Sequence, residues 1–493
     1  MRTGIKKVLL INPPETTQTG FTCPPIGLLY LAGTLREKGI DVQLIDGCIK
    51  GWSAIRDRIK TYMPNFVGIT CLTPMRKKAL AIARMVKDVD KNATVVFGGV
   101  HPTIMYQQLL VHYDAVDIVV RGEGEISFLQ IAQGIDLDKI DGIAYRDGAK
   151  VIKNTDRHYV ENLDKLSFPA WDLIADTLYE YPSTAPFRYY RGIDLYDGPR
   201  ISVIYSRGCI AHCDFCSSWW IWKGWRHRSA KNMVDELEWL YESFKIRHFW
   251  FADDTLTVDK QATLDLCDEI VKRRLHIAFF ATTRPDCVDL EILEKLKQAG
   301  CYEISYGIET ASPKLLSRMK KENDVRISER AIALTKQAGL RVCALLIVGS
   351  VGETKETIDE TVGFLQKTNP EGIGTVGGLW ILPGTGLYRY AKNRRIIDDS
   401  FWLSDEPYMI YTQEHSLRQL RFFTHTLKKR KKLSEMTIRH RVIYTLHTYM
   451  EELTQKGLDI LNRYPIIKSV LKRFYQAIRH NVYRSIRFQK GSS

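Results

Sequence analysis

Three thiols fall within eight residues at Cys209-Ile210-Ala211-His212-Cys213-Asp214-Phe215-Cys216, after the β-rich run Ile201–Gly208. Thiolates are soft ligands that hold zinc or iron–sulfur clusters. A closed structural zinc site or a fully protein-ligated cluster needs four ligands, and the next cysteine is Cys267. Three thiolates on a four-iron cluster leave one iron open to a substrate or cofactor. A zinc knuckle completed by His212, or three unrelated cysteines, are the bland alternatives. The strand, Gly-containing turn and cysteines that follow one another supply the context such a motif needs.

The spacing CxxxCxxC, with Phe215 just before the last cysteine, resembles the radical S-adenosylmethionine (SAM) superfamily. The resemblance implies a [4Fe-4S] cluster on Cys209, Cys213 and Cys216, with Phe215 beside the adenine of SAM. The open iron of that family chelates SAM, whose reductive cleavage gives methionine and a 5′-deoxyadenosyl radical that removes hydrogen from substrate. A low-potential electron donor such as flavodoxin or ferredoxin is implied with it.

Elements must position these thiols. At 493 residues with 45% hydrophobic content, the chain has material for roughly three globular domains. After the cysteines, a helix over 230–244 leads to the strand His248–Ala252, which ends at Asp253 and Asp254. Further strands at Ile277–Thr283, Glu303–Gly307, Ala344–Val348 and Val376–Leu382 alternate with helices. Repeated units of this kind predict a parallel barrel with its site at the strands' carboxyl ends. In order, these segments resemble the partial (β/α)6 radical SAM barrel. The resemblance assigns SAM contacts to Asp253 and Asp254 (second strand), Arg284, Glu309 in Tyr-Gly-Ile-Glu-Thr, Gly349 and Glu353 (adenine motif), and Pro383 in Pro-Gly-Thr-Gly-Leu-Tyr. Trp219, Trp220, Trp222 and Trp225 crowd the segment after the cluster, as core packing or as the lining of a cavity for a large apolar substrate.

Upstream, Val8–Ile11, Val42–Asp46, Phe66–Thr70, Thr94–Phe97 and Asp117–Val120 read as short buried strands, with helices among them near 27–38 and 79–89. That pattern predicts a parallel α/β sheet covered on both faces, with ligands at the strands' carboxyl ends. Asn12-Pro13-Pro14, the segment Pro24–Ala32, Gly98-Gly99-Val100-His101-Pro102-Thr103 and Arg121-Gly122-Glu123-Gly124-Glu125 together resemble the cobalamin-binding domain of class B radical SAM enzymes. Asn12, Gly98, Gly99, Thr103, Gly122 and Glu123 are the cobalamin contacts so implied. No Asp-x-His-x-x-Gly motif is present, so cobalamin is expected with no histidine on cobalt, and His101 is expected in a loop. Cys71 ends the third strand on the same side, and the other cysteines read as small buried hydrophobes.

The fold class expected is therefore α/β: a Rossmann-like cobalamin-binding domain over 1–150, a connector over 151–198, a radical SAM barrel over 199–395, and a basic helical region over 396–493. Residues 416–493 hold 18 Lys and Arg against 4 Asp and Glu, which is the whole of the +14 net charge. Apolar residues from Ile438 to Leu453 and from Ile467 to Ile486 recur every three or four positions among these cations, a pattern that reads as peripheral contact with an anionic membrane. No aromatic-rich module accompanies the charge, so nucleic acid is not the expected partner. The amino-terminal apolar run is too short for a signal peptide, no run reaches the ~18 residues of a membrane span, and the expected location is cytoplasmic.

The segment from Cys216 to Arg228 is similar to the anaerobic magnesium-protoporphyrin ester cyclase branch and to lipid- and natural-product-tailoring relatives. This predicts a hydrophobic or lipidic small-molecule substrate, with methyl transfer or, alternatively, oxidative cyclisation or rearrangement. A tRNA methylthiotransferase would want a three-cysteine amino-terminal domain, and Cys23, Cys48 and Cys71 lack the spacing. A cobalamin sensor would leave the SAM motifs idle.

Overall fold

The computed structural model describes residues 6–14, 23–181 and 185–430. The helical stripes expected beyond 430 lie outside the described residues. The first sheet has seven strands in the order β2-β1-β3-β4-β5-β6-β7. They are β1 (Lys7–Asn12), β2 (Asp41–Asp46), β3 (Phe66–Thr70), β4 (Thr94–Gly98), β5 (Ile118–Val120), β6 (Ile143–Asp147) and β7 (Lys150–Lys153). The first five are parallel and the last two form an antiparallel hairpin on the β5 edge. The sheet thus ends at Lys153.

Helices α2 (Gly47–Tyr62), α3 (Arg76–Val89) and α4 (Val100–His112) bury Ile55, Ile59, Leu80, Ile82, Val86 and Leu109 against one face of the sheet. On the other, Phe128 of α5 (Glu125–Gln133) reaches Gly68, and α5 packs with α1 (Ile26–Glu37). Strands buried on both sides are the reason these segments read as continuous Val, Ile and Leu rather than alternating.

The connector holds short 3-10 turns and a small hairpin, β8 (Tyr189–Tyr190) with β9 (Ile193–Asp194). The second sheet contains β10 (Arg200–Val203), β13 (His248–Phe251), β14 (Ala278–Thr283), β15 (Cys301–Glu309), β16 (Arg341–Val348) and β17 (Gly372–Gly377), in that order and all parallel. This is the six-unit partial barrel. Between its first two strands stands an antiparallel hairpin, β11 (Ser206–Cys209) with β12 (Gly224–His227), joined through α6 (Ser218–Trp222).

The helices between the barrel strands are α7 (Ala230–Phe244), α8 (Lys260–Lys272), α9 (Leu290–Ala299), α10 (Pro313–Arg318), α11 (Val325–Gln337) and α12 (Lys355–Thr368). Their starts are written in the sequence: Ser229, Asp259, Asp289 and Thr354 each cap a helix by accepting a backbone N–H.

The sequence places the sixth barrel strand at Val376–Leu382, but it lies earlier, at Gly372–Gly377. Gly372, Gly374 and Gly377 hide it, because glycine carries little β-propensity. Trp380–Ile381 instead forms β18, paired with β19 (Met409–Ile410). Helix α13 (Gly386–Asn393) follows, and α14 (Leu417–Lys429) buries Leu420, Phe423 and Leu427 beside α12 and β17. The start of the basic region is therefore part of the barrel's packing. Between these helices, residues 402–407 return to the first domain, where their carbonyls at Trp402, Ser404, Glu406 and Pro407 surround the buried guanidinium of Arg76.

Candidate active site

The cysteines leave the β11–β12 hairpin in a loop that other elements hold. Cys209 ends β11, and its Sγ lies 3.3 Å from the Thr255 hydroxyl. Backbone N–H groups of Ala211 and Ser218 approach the Cys209 and Cys216 sulfurs at 3.5 and 3.4 Å. Asp214 donates its N–H to the Met319 carbonyl at 2.9 Å and accepts the Leu387 N–H at 3.0 Å, which stitches the loop to the end of α10 and the start of α13.

The His212 ring packs on Trp219, 3.7 Å between centroids, rather than joining the thiols. Among the described residues no three His, Cys, Asp or Glu side chains gather as a site for a metal ion. A four-iron cluster asks for something different, namely thiolates that reach separate irons. Burial raises the Cys213 thiol and pushes Cys216 up to about 12, while Lys321 and Arg284 oppose the shift at Cys213. Iron would reverse this, since a bound cation deprotonates a coordinating thiol. N–H groups aimed at the sulfurs are the contacts that tune such a cluster.

At the barrel's carboxyl end the expected SAM residues surround the same loop. Glu309 ends β15 with φ 65° and pairs with Lys321 at 3.2 Å; burial raises its pKa and the lysine works against that. Arg284 spends Nε and Nη2 on Asp286 at 2.9 and 2.6 Å, leaving Nη1 buried without a partner. An orphaned guanidinium N–H near Cys213 suits the carboxylate of an amino-acid ligand. Glu353 accepts the Gly349 N–H, and burial lifts its carboxyl to about 7.

Gly349 has φ 93°, and a Cβ there would come within 3.1 Å of Leu420. Pro383 precedes Gly384, where a Cβ would meet Ile104 of α4 at 2.7 Å, so this turn lies directly against the first domain. Phe215 borders a cavity of about 500 Å³ whose walls include Leu345, Ile347, Val376, Trp380 and Leu382, with Glu309 and Thr375 as its polar members. Thr375 Oγ1 is buried with no protein partner.

The acidic pair is held by protein donors: Asp253 accepts the Ser206 N–H, the Ser206 hydroxyl at 2.5 Å and the Tyr205 N–H at 3.4 Å. Its burial lifts the pKa to about 7. Asp254 takes the Ser218 hydroxyl. The pair braces the two ends of the cysteine segment. Ser206, Ser218 and Thr255 were not anticipated, because a hydroxyl carries no spacing signal of its own.

In the first domain the expected residues collect at the carboxyl edge of the sheet. Asn12 donates to Asp46 Oδ1 at 2.8 Å, joining the ends of β1 and β2 beside the point where strand order reverses, the usual ligand crevice of such sheets. Positions Gly98 and Gly122 have nothing within 4 Å of where a Cβ would stand, leaving open space on this edge that a bulky ligand can fill. Gly99 differs: its φ is 106° and a Cβ would lie 2.9 Å from the Cys71 carbonyl oxygen. Thr103 donates its hydroxyl to Gly99 O at 2.8 Å and accepts Gly122 N–H at 3.0 Å, tying the β4 and β5 ends together.

The Glu123 carboxylate accepts from Arg207 at 2.9 Å, Arg226 at 3.0 Å and the Val160 N–H at 2.8 Å. His101 is not in a loop but on α4, buried, with Nδ1 3.2 Å from the Thr73 hydroxyl and its ring edge against Trp402. Of the remaining cysteines, Cys71, Cys267 and Cys301 are buried as expected, whereas Cys23, Cys48, Cys287 and Cys343 are half-buried.

A doubly covered sheet with an open glycine edge, set before a partial barrel that presents three thiols, is the architecture of an α/β enzyme with a ligand edge on each sheet. The chain belongs to the family of B12-binding radical SAM enzymes: the B12 binding domain matches residues 16–132 and the radical SAM superfamily residues 203–365. An uncharacterized methyltransferase of Pyrococcus horikoshii is 31% identical over 433 residues, 85% of this chain and 89% of that one. The anaerobic magnesium-protoporphyrin IX monomethyl ester cyclase of Rubrivivax gelatinosus is 32% identical over 383 residues, 74% of this chain and 66% of that one. In fold, the radical SAM methyltransferase TsrM from Kitasatospora setae superposes with a TM-score of 0.66 at 22% identity, over 79% of this chain and 75% of that one. The protein is a cobalamin-dependent radical SAM enzyme whose cofactors are a [4Fe-4S] cluster, SAM and cobalamin. No described helix is long and apolar enough to cross a membrane.

Proposed function

We propose that the enzyme removes a hydrogen atom from an unactivated carbon of a hydrophobic small molecule and places a methyl group there. The observation that supports this most is the cavity of about 500 Å³ beside Phe215, whose walls are mainly Leu, Ile, Val and Trp. That volume falls within the ~300–1,000 Å³ of ordinary small-molecule sites. The cofactors supply reductive cleavage of SAM and a transferable methyl group; the chain's part is to bind, orient and keep water out. Cys209, Cys213 and Cys216 hold the cluster. Arg284, Glu309 and the Gly349–Glu353 turn hold SAM, with Phe215 and Pro383 closing on it. Asn12, Gly98, Gly99, Thr103 and Gly122 form the cobalamin edge.

Similarity to the magnesium-protoporphyrin cyclase favours a second reading, oxidative ring closure without methyl transfer. SAM carrying a trideuterated methyl group separates them. A small-molecule product heavier by the labelled methyl supports methylation, and a product that has lost hydrogen without gaining label supports cyclisation. The reductant is a low-potential flavodoxin or ferredoxin, and the cationic segment 416–493 makes peripheral contact with anionic membrane; its 18 basic and 4 acidic residues support that contact.

A further inference from the structure

We propose that Glu123 and Glu125 are positioning residues, which set the cluster-bearing hairpin at a fixed place relative to the cobalamin edge by gripping Arg207 and Arg226. Arg207 and Arg226 stand directly opposite each other in the β11–β12 ladder. Like charges across an antiparallel pair repel, so this hairpin is not self-sufficient in charge. Both neutralising groups come from the first domain. Glu123 Oε1 accepts Arg207 Nη1 at 2.9 Å and Arg226 Nη2 at 3.0 Å, and Glu125 Oε1 accepts Arg207 Nη2 at 2.6 Å. The four side chains are between 4% and 12% exposed. Buried ion pairs add little net stability but punish any arrangement that separates them. They therefore select one docking geometry.

The grip lies on a short, unbroken path between the two cofactor regions. Gly99 O accepts the Thr103 hydroxyl, Thr103 accepts the Gly122 N–H, and Glu123 follows. On the other side Arg207 is two residues before Cys209. The guanidinium planes have little freedom to swing: Arg207 lies 5.1 Å from the Tyr30 ring centroid and 5.6 Å from that of Trp222, and Arg226 lies 4.9 Å from Tyr159. A planar guanidinium fork holds its two carboxylates in one fixed geometry, whereas a lysine ammonium is a point charge with freely rotating donors.

This inference rests on the assignment of both cofactors, and its test reads their relative position rather than turnover. The reduced cluster and cob(II)alamin are both paramagnetic, so their magnetic coupling in reconstituted enzyme reports their separation. Wild-type enzyme is expected to show one defined coupling. Glu125→Gln and Arg207→Lys are expected to keep full iron, sulfide and cobalamin while the single coupling is lost into a weaker, spread distribution. Should Glu125→Gln fail to fold, Arg207→Lys, which keeps the charge, carries the same expectation. A variant holding both cofactors with unchanged coupling overturns the positioning role. A wild-type protein that fails to hold one of the cofactors overturns the functional reading instead.

Discussion

A Cβ on Gly208 would overlap the carbonyl oxygen of Gly224, the residue beside its ladder partner Trp225 in the β11–β12 hairpin. Gly208 also has φ 96°, a region that L side chains rarely adopt. Two independent constraints thus place glycine immediately before Cys209.

Gly208→Ala is expected to displace the hairpin and abolish cluster retention. Iron and sulfide after anaerobic reconstitution should fall from four of each per chain to background, with cobalamin binding kept. A Gly208→Ala enzyme with a full cluster would show that the hairpin does not set the thiols.

The neighbouring glycines of the first domain separate two roles. Gly98 has open space at its Cβ position and Gly99 has a left-handed φ with Cys71 behind it. Gly98→Leu is expected to leave stability within about 0.5 kcal/mol of wild type, as surface substitutions do, and to weaken cobalamin uptake at least tenfold. Gly99→Ala is expected to cost about 1–3 kcal/mol of stability through backbone strain. Denaturant unfolding of the apo-protein and a cobalamin titration check both, and equal effects on binding and stability at the two positions would refute the distinction.

His101 supplies a pH signature. Burial, with the nearby Arg76 cation, depresses its pKa from 6.5 to about 3. The folded state therefore favours the neutral ring. Its contribution is fully present above pH 6.5 and is lost as pH falls toward about 3. Between pH 7.5 and 5.0 wild type should lose about 2 kcal/mol more stability than His101→Gln. Identical losses in both proteins, measured by urea unfolding, would mean the ring is not held neutral.

The thiol motif, the five parallel strands of the first sheet and the first five barrel strands are legible because each is a local pattern: fixed spacing, or an apolar run between turn residues; the β6–β7 hairpin is not. What escaped was long-range. Glu123 in Arg-Gly-Glu-Gly-Glu looks like a strand-end ligand group, and only the fold brings Arg207 and Arg226 to it from about 80 and 100 positions away. Asp253 and Asp254 read as free carboxylates at a strand end, since nothing in their surroundings announces that Ser206 and Ser218 will occupy them. Pro102 points His101 toward a loop, yet proline is accepted in the first turn of a helix and His101 lies on α4. The sixth strand was masked by its glycines for the opposite reason, a low local propensity overridden by pairing with β16.

The central claim is that one chain uses an open cluster on Cys209, Cys213 and Cys216 together with cobalamin. The direct measurement is anaerobic reconstitution with iron, sulfide and hydroxocobalamin, followed by reduction in the presence of SAM. Wild type is predicted to hold one [4Fe-4S] cluster and one cobalamin per chain and to release 5′-deoxyadenosine. The variant with all three cysteines replaced by Ala is predicted to keep cobalamin while losing both the cluster and the nucleoside. A triple variant that retained full iron and sulfide, or still formed 5′-deoxyadenosine, would contradict the account.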